Sequence, residues 1–286
     1  MSTTTNTAGD AVEIPRRDLR FGFEDCDLRT WHPDGLHVAH FFNALSIFFP
    51  EGEKFFIDSV RRFRDRVRAP KLEAAVKGFI GQEAMHSREH RRYNEALADA
   101  GLPVEKLERK VKDHLAQVRE HTAFADQLAV TIALEHFTAI MADVLLSDDG
   151  ILNGADARMA ALWKWHAVEE TEHKAVAFDV YQEVLGTGRA AYWRRAIVML
   201  ATTIDFWQRV CRYQFALVRA DGATADLRGW WRLFRFLWIS PGGMRRLVKP
   251  WMAYFRRDFH PWQHDNRHFV ERWTAAYDAQ DGASPA

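Results

Sequence analysis

The chain has 286 residues, 48% of them hydrophobic, which is enough to bury a large core as one domain or as a domain with an extension. Lys and Arg balance Asp and Glu to a formal net charge of zero, so bulk charge gives no reason to expect a nucleic-acid partner. The two cysteines, Cys26 and Cys211, are too few for a disulfide framework and fit a reducing compartment.

Residues 1–10 are polar, with neither a basic start nor an apolar run, and read as a disordered tail rather than a signal peptide. Pro, Gly and Asp clusters follow, so residues 1–30 are expected to be disordered or irregular. Leu36 to Phe49 is apolar enough for a buried helix. Pro50 suits a first helical turn, where its missing N–H would be unpaired anyway, and predicts a second helix to about Val67. A further helix is expected from Pro70 to about Ala98, ended by Gly101 and Pro103. Residues 103–120 are charged and amphipathic, with Leu107, Val111, Leu115 and Val118 on one stripe. Thr122 to Leu146 is strongly apolar and carries Glu135 where its core face should lie. Asp156 to Leu185 predicts one long helix, stopped at Gly186.

Beyond residue 188, helices are expected at about 190–219, 226–239, 243–258 and 265–279, with breaks at Pro241-Gly242-Gly243 and His260-Pro261. No strand alternation occurs, so the fold class is all-α. The longest uncharged apolar run of the C-terminal half, Ala196 to Ile204, is far short of the roughly 18–20 residues that span a bilayer. A soluble, cytoplasmic protein is expected. The charge is unevenly spread: Arg189 to Arg257 holds fourteen Lys/Arg against three acids, and eight of the eleven tryptophans follow residue 190. The expected organisation is a helical metal-binding unit over 31–188 and a Trp/Arg-rich helical extension over 189–286.

Two short stretches repeat one device. Glu83 precedes His86 by three residues, and Glu170 precedes His173 by three. On a helix, residues three apart share a face, so each carboxylate and imidazole can reach the same ion. Glu53 precedes the first pair and Glu135 the second, each on its own helix. The order Glu, Glu-x-x-His, crossover helix, Glu, Glu-x-x-His is that of ferritin-like dimetal carboxylate bundles. Four carboxylates balance the charge of two divalent ions, and oxygen with imidazole suits iron, with manganese or zinc as alternatives. His166 falls within about 60° of Glu170 and His173 at about 100° per residue and is a further candidate ligand. His90, on the face of Glu83, is either a ligand or a group that orients one. Asp179 is a candidate to orient a liganding His. The metal set read from the sequence is therefore Glu53, Glu83, His86, Glu135, His166, Glu170 and His173, with His90 in reserve.

With those motifs, residues 45–186 resemble the ferritin-like di-iron superfamily. His166-x-x-x-Glu170-x-x-His173 is similar to the arylamine N-oxygenase branch, which implies that an extra His joins the second metal. The whole-chain pattern resembles the bacterial family of predicted metal-dependent hydrolases. The residues that carry this are Phe49-Pro50-Glu51-Gly52-Glu53, Gln82 to His90, Trp165 to Asp179 and Phe259-His260-Pro261-Trp262.

The expected function is a dimetal enzyme that activates O2 to oxidise a small apolar organic substrate, supplied by an electron-donor protein. The alternatives are metal-dependent hydrolysis through a metal-bound hydroxide and non-catalytic iron storage. For the basic, Trp-rich part, core packing, a substrate lid and peripheral membrane contact remain open readings. A homodimer fits the same expectations.

Overall fold

The computed structural model describes residues 13–23 and 25–281, with side chains described as far as Asp278. The tail expected at residues 1–10 lies outside these. All regular elements among the described residues are helical. In chain order they are α1 (Leu36–Arg61), α2 (Pro70–Asp99), α3 (Val104–His121), α4 (Phe124–Leu146), α5 (Ala157–His173), α6 (Val176–Leu185), α7 (Arg189–Ala220), α8 (Leu227–Phe234), α9 (Gly243–Ala253) and α10 (Arg267–Asp281).

Two helices depart from the sequence expectation. Pro50 does not start a new helix; it sits inside α1. A helical proline leaves the carbonyl four residues back without its donor. Here that carbonyl belongs to Ser46, and Asn94 Nδ2 of α2 donates to it at 3.1 Å. The tertiary donor satisfies the carbonyl that Pro50 leaves open, and α1 runs on to carry Glu53. The single helix expected over 156–185 is instead α5 and α6, parted at Lys174 and Ala175. There the Lys174 ammonium turns onto the His264 carbonyl at 2.7 Å and Asn266 Oδ1 at 2.6 Å, beneath the Trp262 ring. Asp156 starts α5 by accepting from the Arg158 and Met159 amides.

α1 packs on α2 and α4 on α5; contacts of α1 with α4 and of α2 with α5 close these pairs around one interior. α3 connects α2 to α4 and lies against α1, and α7 runs along both α1 and α4. The core includes Phe55, Phe79, Ile132 and Trp165, and it continues into Met199, Leu217, Leu233 and Tyr254 of the later helices. α4 is long and apolar enough to cross a membrane, yet 78% of its apolar stretch is buried inside the protein.

The segment ahead of α1 is irregular but packed. It crosses α2 so closely that a Cβ on Gly78 would lie 2.7 Å from the Ile14 carbonyl. Glycine is what lets this strap lie flat on the helix.

Candidate metal centre

Four helices deliver acids to one buried point: Glu53 from α1, Glu83 with His86 from α2, Glu135 from α4, and Glu170 with His166 and His173 from α5. None of the seven is more than 3% exposed. Donor atoms of Glu53, His86 and His166 lie within 4.8 Å of one another, as do those of Glu83, Glu135 and His173, and those of Glu83, His86 and Glu170. The cluster therefore has a corner with two imidazoles and a corner with one. Glu170 turns an oxygen to each: Oε1 lies 3.0 Å from His166 Nε2, and Oε2 lies 3.5 Å from His173 Nε2. His173 Nε2 also lies 3.1 Å from Glu83 and 3.7 Å from Glu135.

The resemblance put the extra His at the second metal. The structure puts His166 with Glu53 and His86. Along α5, His166 lies a turn before Glu170 and His173 a turn after it, so the two imidazoles serve opposite corners.

Most of these groups gather without hydrogen-bonding each other; His166 Nε2 with Glu170 Oε1 at 3.0 Å is the exception. Unpartnered buried atoms occur on Glu53, Glu83, His86, Glu135, Glu169, Glu170 and His173. An unsatisfied buried polar group costs about 1–3 kcal/mol, more when charged, so seven such residues together rival the stability of a whole domain at about 5–15 kcal/mol. A cation shared among them is the partner that fits this donor set.

The electrostatics agree. Burial, then the neighbouring carboxylates of Glu83 and Glu170, raises the acids of Glu53 and Glu135 well above the carboxylate range. Burial raises Glu83 to about 7, against the opposing pull of His173. Burial opposes charge on His173, but the carboxylates of Glu170, Glu83 and Glu135 outweigh it and raise the imidazole. Burial lowers His86. Without a cation, protons must compensate the crowded acids.

Two hydrogen-bond chains fix which ring nitrogen faces the cluster. Asn94 spends both amide hydrogens on the Ser46 carbonyl and Glu108 Oε1, so its Oδ1 accepts from Ser46 Oγ at 2.8 Å. Ser46 Oγ must then accept from His90 Nδ1 at 2.9 Å, and His90 Nε2 must accept from His166 Nδ1 at 2.8 Å. His166 is left with its Nε2 lone pair aimed at Glu170. Two acceptors 3.0 Å apart require a cation or proton between them. His90, a candidate ligand in the sequence, has both nitrogens occupied and orients His166 instead.

The second chain starts on the strap. Arg17 grips both oxygens of Glu172 at 2.8 and 2.6 Å and reaches Glu169 Oε1 at 3.1 Å. Gln82 donates to Glu172 Oε2 and the Pro15 carbonyl, which leaves its Oε1 to accept from His173 Nδ1 at 2.9 Å. Glu169, itself held by Trp165 Nε1 at 2.8 Å, lies 3.0 Å from His86 Nε2. Asp179, read from the sequence as the orienting acid, bonds His260 instead at 2.8 Å, because the break after α5 turns it away. Gln82 and Glu169 were visible in the motif as neighbours of Glu83 and Glu170. Arg17 carried no signal, since it joins the site from outside any periodic element.

Two cavities reach the cluster. One touches His166 and Glu170 and is walled by Phe41, Phe42, Trp163, Met244 and Leu247. The other, about 340 Å³, touches Glu53 and includes His114, Asp205 and Arg209 in its wall. They share Leu45, Phe49, Thr138 and Met141. Both linings are overwhelmingly carbon.

A family model described as predicted metal-dependent hydrolase matches residues 15–265. No curated protein and no solved structure gives a significant match.

Proposed function

The chain belongs to the predicted metal-dependent hydrolase family, and from that premise we propose a hydrolase built around two metal ions held by Glu53, Glu83, His86, Glu135, His166, Glu170 and His173. The observation that carries this is the set of buried donor atoms, most of them without a hydrogen-bond partner, that approach a common point. The order of the acids along the chain supports a ferritin-like four-helix bundle of α1, α2, α4 and α5, with α3 as its long crossover. Iron, manganese and zinc all suit such carboxylate and imidazole donors.

Bound ions there supply Lewis acidity and make water more acidic. The protein does the rest. His90 and Gln82 hold the His166 and His173 lone pairs on target, and Glu169 Oε2 lies 3.0 Å from His86 Nε2. Phe49, Trp163 and Met141 keep bulk water from the substrate side and offer a fit to an apolar acyl group.

A second reading is oxidation of an apolar substrate by O2, with electrons from a donor protein. The carbon lining of both cavities favours it, because it offers few polar groups to bind a hydrophilic substrate.

The test is to load the chain anaerobically with Fe(II), Mn(II) or Zn(II), count the metal, and offer esters and amides of apolar acids with and without O2. Hydrolysis indifferent to O2 and abolished in Glu170→Gln is the expected result. O2 uptake with an oxidised product would replace hydrolysis by the second reading. A chain that retains no metal overturns both.

A further inference from the structure

α8, the π-helical turn Arg235–Ile239 behind it, and α9 turn an apolar face outward. Leu227 is 79% exposed, Trp231 58%, Phe234 48% and Trp238 45%. At about 100° per residue these four lie within about 60° of one another, a single stripe. Arg228, Arg232 and Arg235 flank it on one side. Val248 and Met252 continue the exposed apolar surface on α9. α9 is tied to α7 by the bond from Trp251 Nε1 to Thr203 Oγ1 at 3.0 Å, and α7 exposes Leu200 and Ile204 on either side of Thr203. Large exposed apolar surface on this scale marks an interaction site.

The charge of the face selects its occupant. From Leu227 to Ala253 the chain has six Arg/Lys and no acid. The acids that reach this segment are Asp226, which caps α8 by accepting from the Arg228 amide at 3.1 Å, Asp34, 3.6 Å from Arg235, and Asp148, 3.1 Å from Arg246. Arg228, Arg232, Arg245 and Lys249 have no ion pair among the described residues. A second copy docked about a two-fold axis would set these cations against each other. A nucleic acid would satisfy the cations and leave the Leu, Trp and Phe stripe in water. An anionic bilayer meets both, with phosphate at the rim and hydrocarbon beneath, and tryptophan is at home at that boundary.

We propose that this face docks on an anionic lipid surface, with α8 lying in the plane of the interface. The same segment walls the first cavity from outside: Phe236, Leu237, Pro241, Met244 and Leu247 line it, and His166 and Glu170 lie in the same lining. Docking would set that cavity against the bilayer, so an apolar molecule passes from lipid toward the metal centre without crossing water. The docking itself does not depend on which reaction the centre performs.

Flotation of the full chain with vesicles of phosphatidylcholine alone, or with about a third phosphatidylglycerol, tests this. Binding to the anionic vesicles only, weakened by salt and accompanied by a blue shift of tryptophan emission, is expected. Arg228→Gln with Arg232→Gln should weaken it about twenty-five-fold, taking about fivefold per basic residue at an anionic surface. Trp231→Ser with Trp238→Ser should abolish the blue shift. All four side chains are exposed, so melting curves should match the parent, and the two pairs test the proposal independently. Equal binding to neutral vesicles, no binding, a stable dimer whose contact masks these tryptophans, or preference for RNA over vesicles overturns the proposal. Glu170→Gln should lose metal and still float, which separates failure of the docking from failure of the metal centre.

Discussion

Replacing Glu135 by methionine should raise metal-free stability and shrink the stability gained on metal loading. Glu135 is 1% exposed, and both its oxygens lack partners. Burial, with the carboxylates of Glu83 and Glu170 beside it, keeps it protonated in the metal-free chain. Methionine is unbranched and flexible enough to fill the same space. Removing an unsatisfied buried acid should then stabilise the metal-free protein by about 1–3 kcal/mol. At about 2 °C per kcal/mol for a chain of this size, Tm rises by about 2–6 °C. The loaded protein behaves otherwise. A ligand at a hundred times its Kd stabilises the wild type by about 2.7 kcal/mol, and a variant missing one ligand to the Glu83 and His173 corner forfeits most of that gain. Chelator-stripped and loaded samples are melted side by side by circular dichroism, with metal counted in each. A lower Tm in the stripped variant, or an undiminished gain on loading, would refute the argument that Glu135 is kept for an ion.

His90→Leu removes the acceptor for His166 Nδ1 and should weaken metal binding about 10–100-fold in a chelator competition, whereas His90→Gln, which can still accept there, should lose less. In the metal-free protein the folded chain holds a proton on Glu83 up to about 7 that the unfolded chain gives up above 4.5. Stability of that form should therefore fall as pH rises from 4.5 through 7, while metal affinity rises over the same range and loading near neutrality releases protons measurable with an indicator dye. Gly229→Ala drives a Cβ into the His37 ring at the contact of α8 with α1. It should cost about 1–3 kcal/mol, read as a lower urea midpoint at constant slope.

The all-helical class and most helix limits were legible because apolar spacing and Pro or Gly punctuation are local signals. Pro50 and the break after His173 were not, because each is decided by a distant side chain: Asn94 donating to the Ser46 carbonyl, and the C-terminal segment taking the Lys174 ammonium. The acids and imidazoles were legible because two copies of one spacing coincided. Their division into corners was not, since it depends on where α5 sits against α1 and α4. The residues that aim the imidazoles lie beyond the reach of spacing. Ser46, Asn94 and Arg17 come from three different segments and meet only when the chain is folded.

That division gives the two corners different supports. His166 is held by His90, Ser46 and Asn94, all on the long helices α1 and α2, whose carbonyl repair at Pro50 uses the same Asn94. Satisfying the carbonyl at Pro50 and aiming His166 thus use one side chain: the bonds of the Asn94 amide hydrogens to the Ser46 carbonyl and Glu108 turn its Oδ1 toward Ser46 Oγ. His173 is held by Gln82 and Glu172, which are clamped in turn by Arg17 and the Pro15 carbonyl of the irregular strap. A strap has no helical hydrogen bonds of its own, so its place is set by tertiary ones: the Phe21 amide donates to Glu89 Oε2 at 3.0 Å, Arg88 of α2 donates to Asp18 and the Leu19 carbonyl, and Arg17 grips Glu172. The corner with two imidazoles is therefore supported from within α1 and α2, and the corner with one is supported through a segment outside the helices.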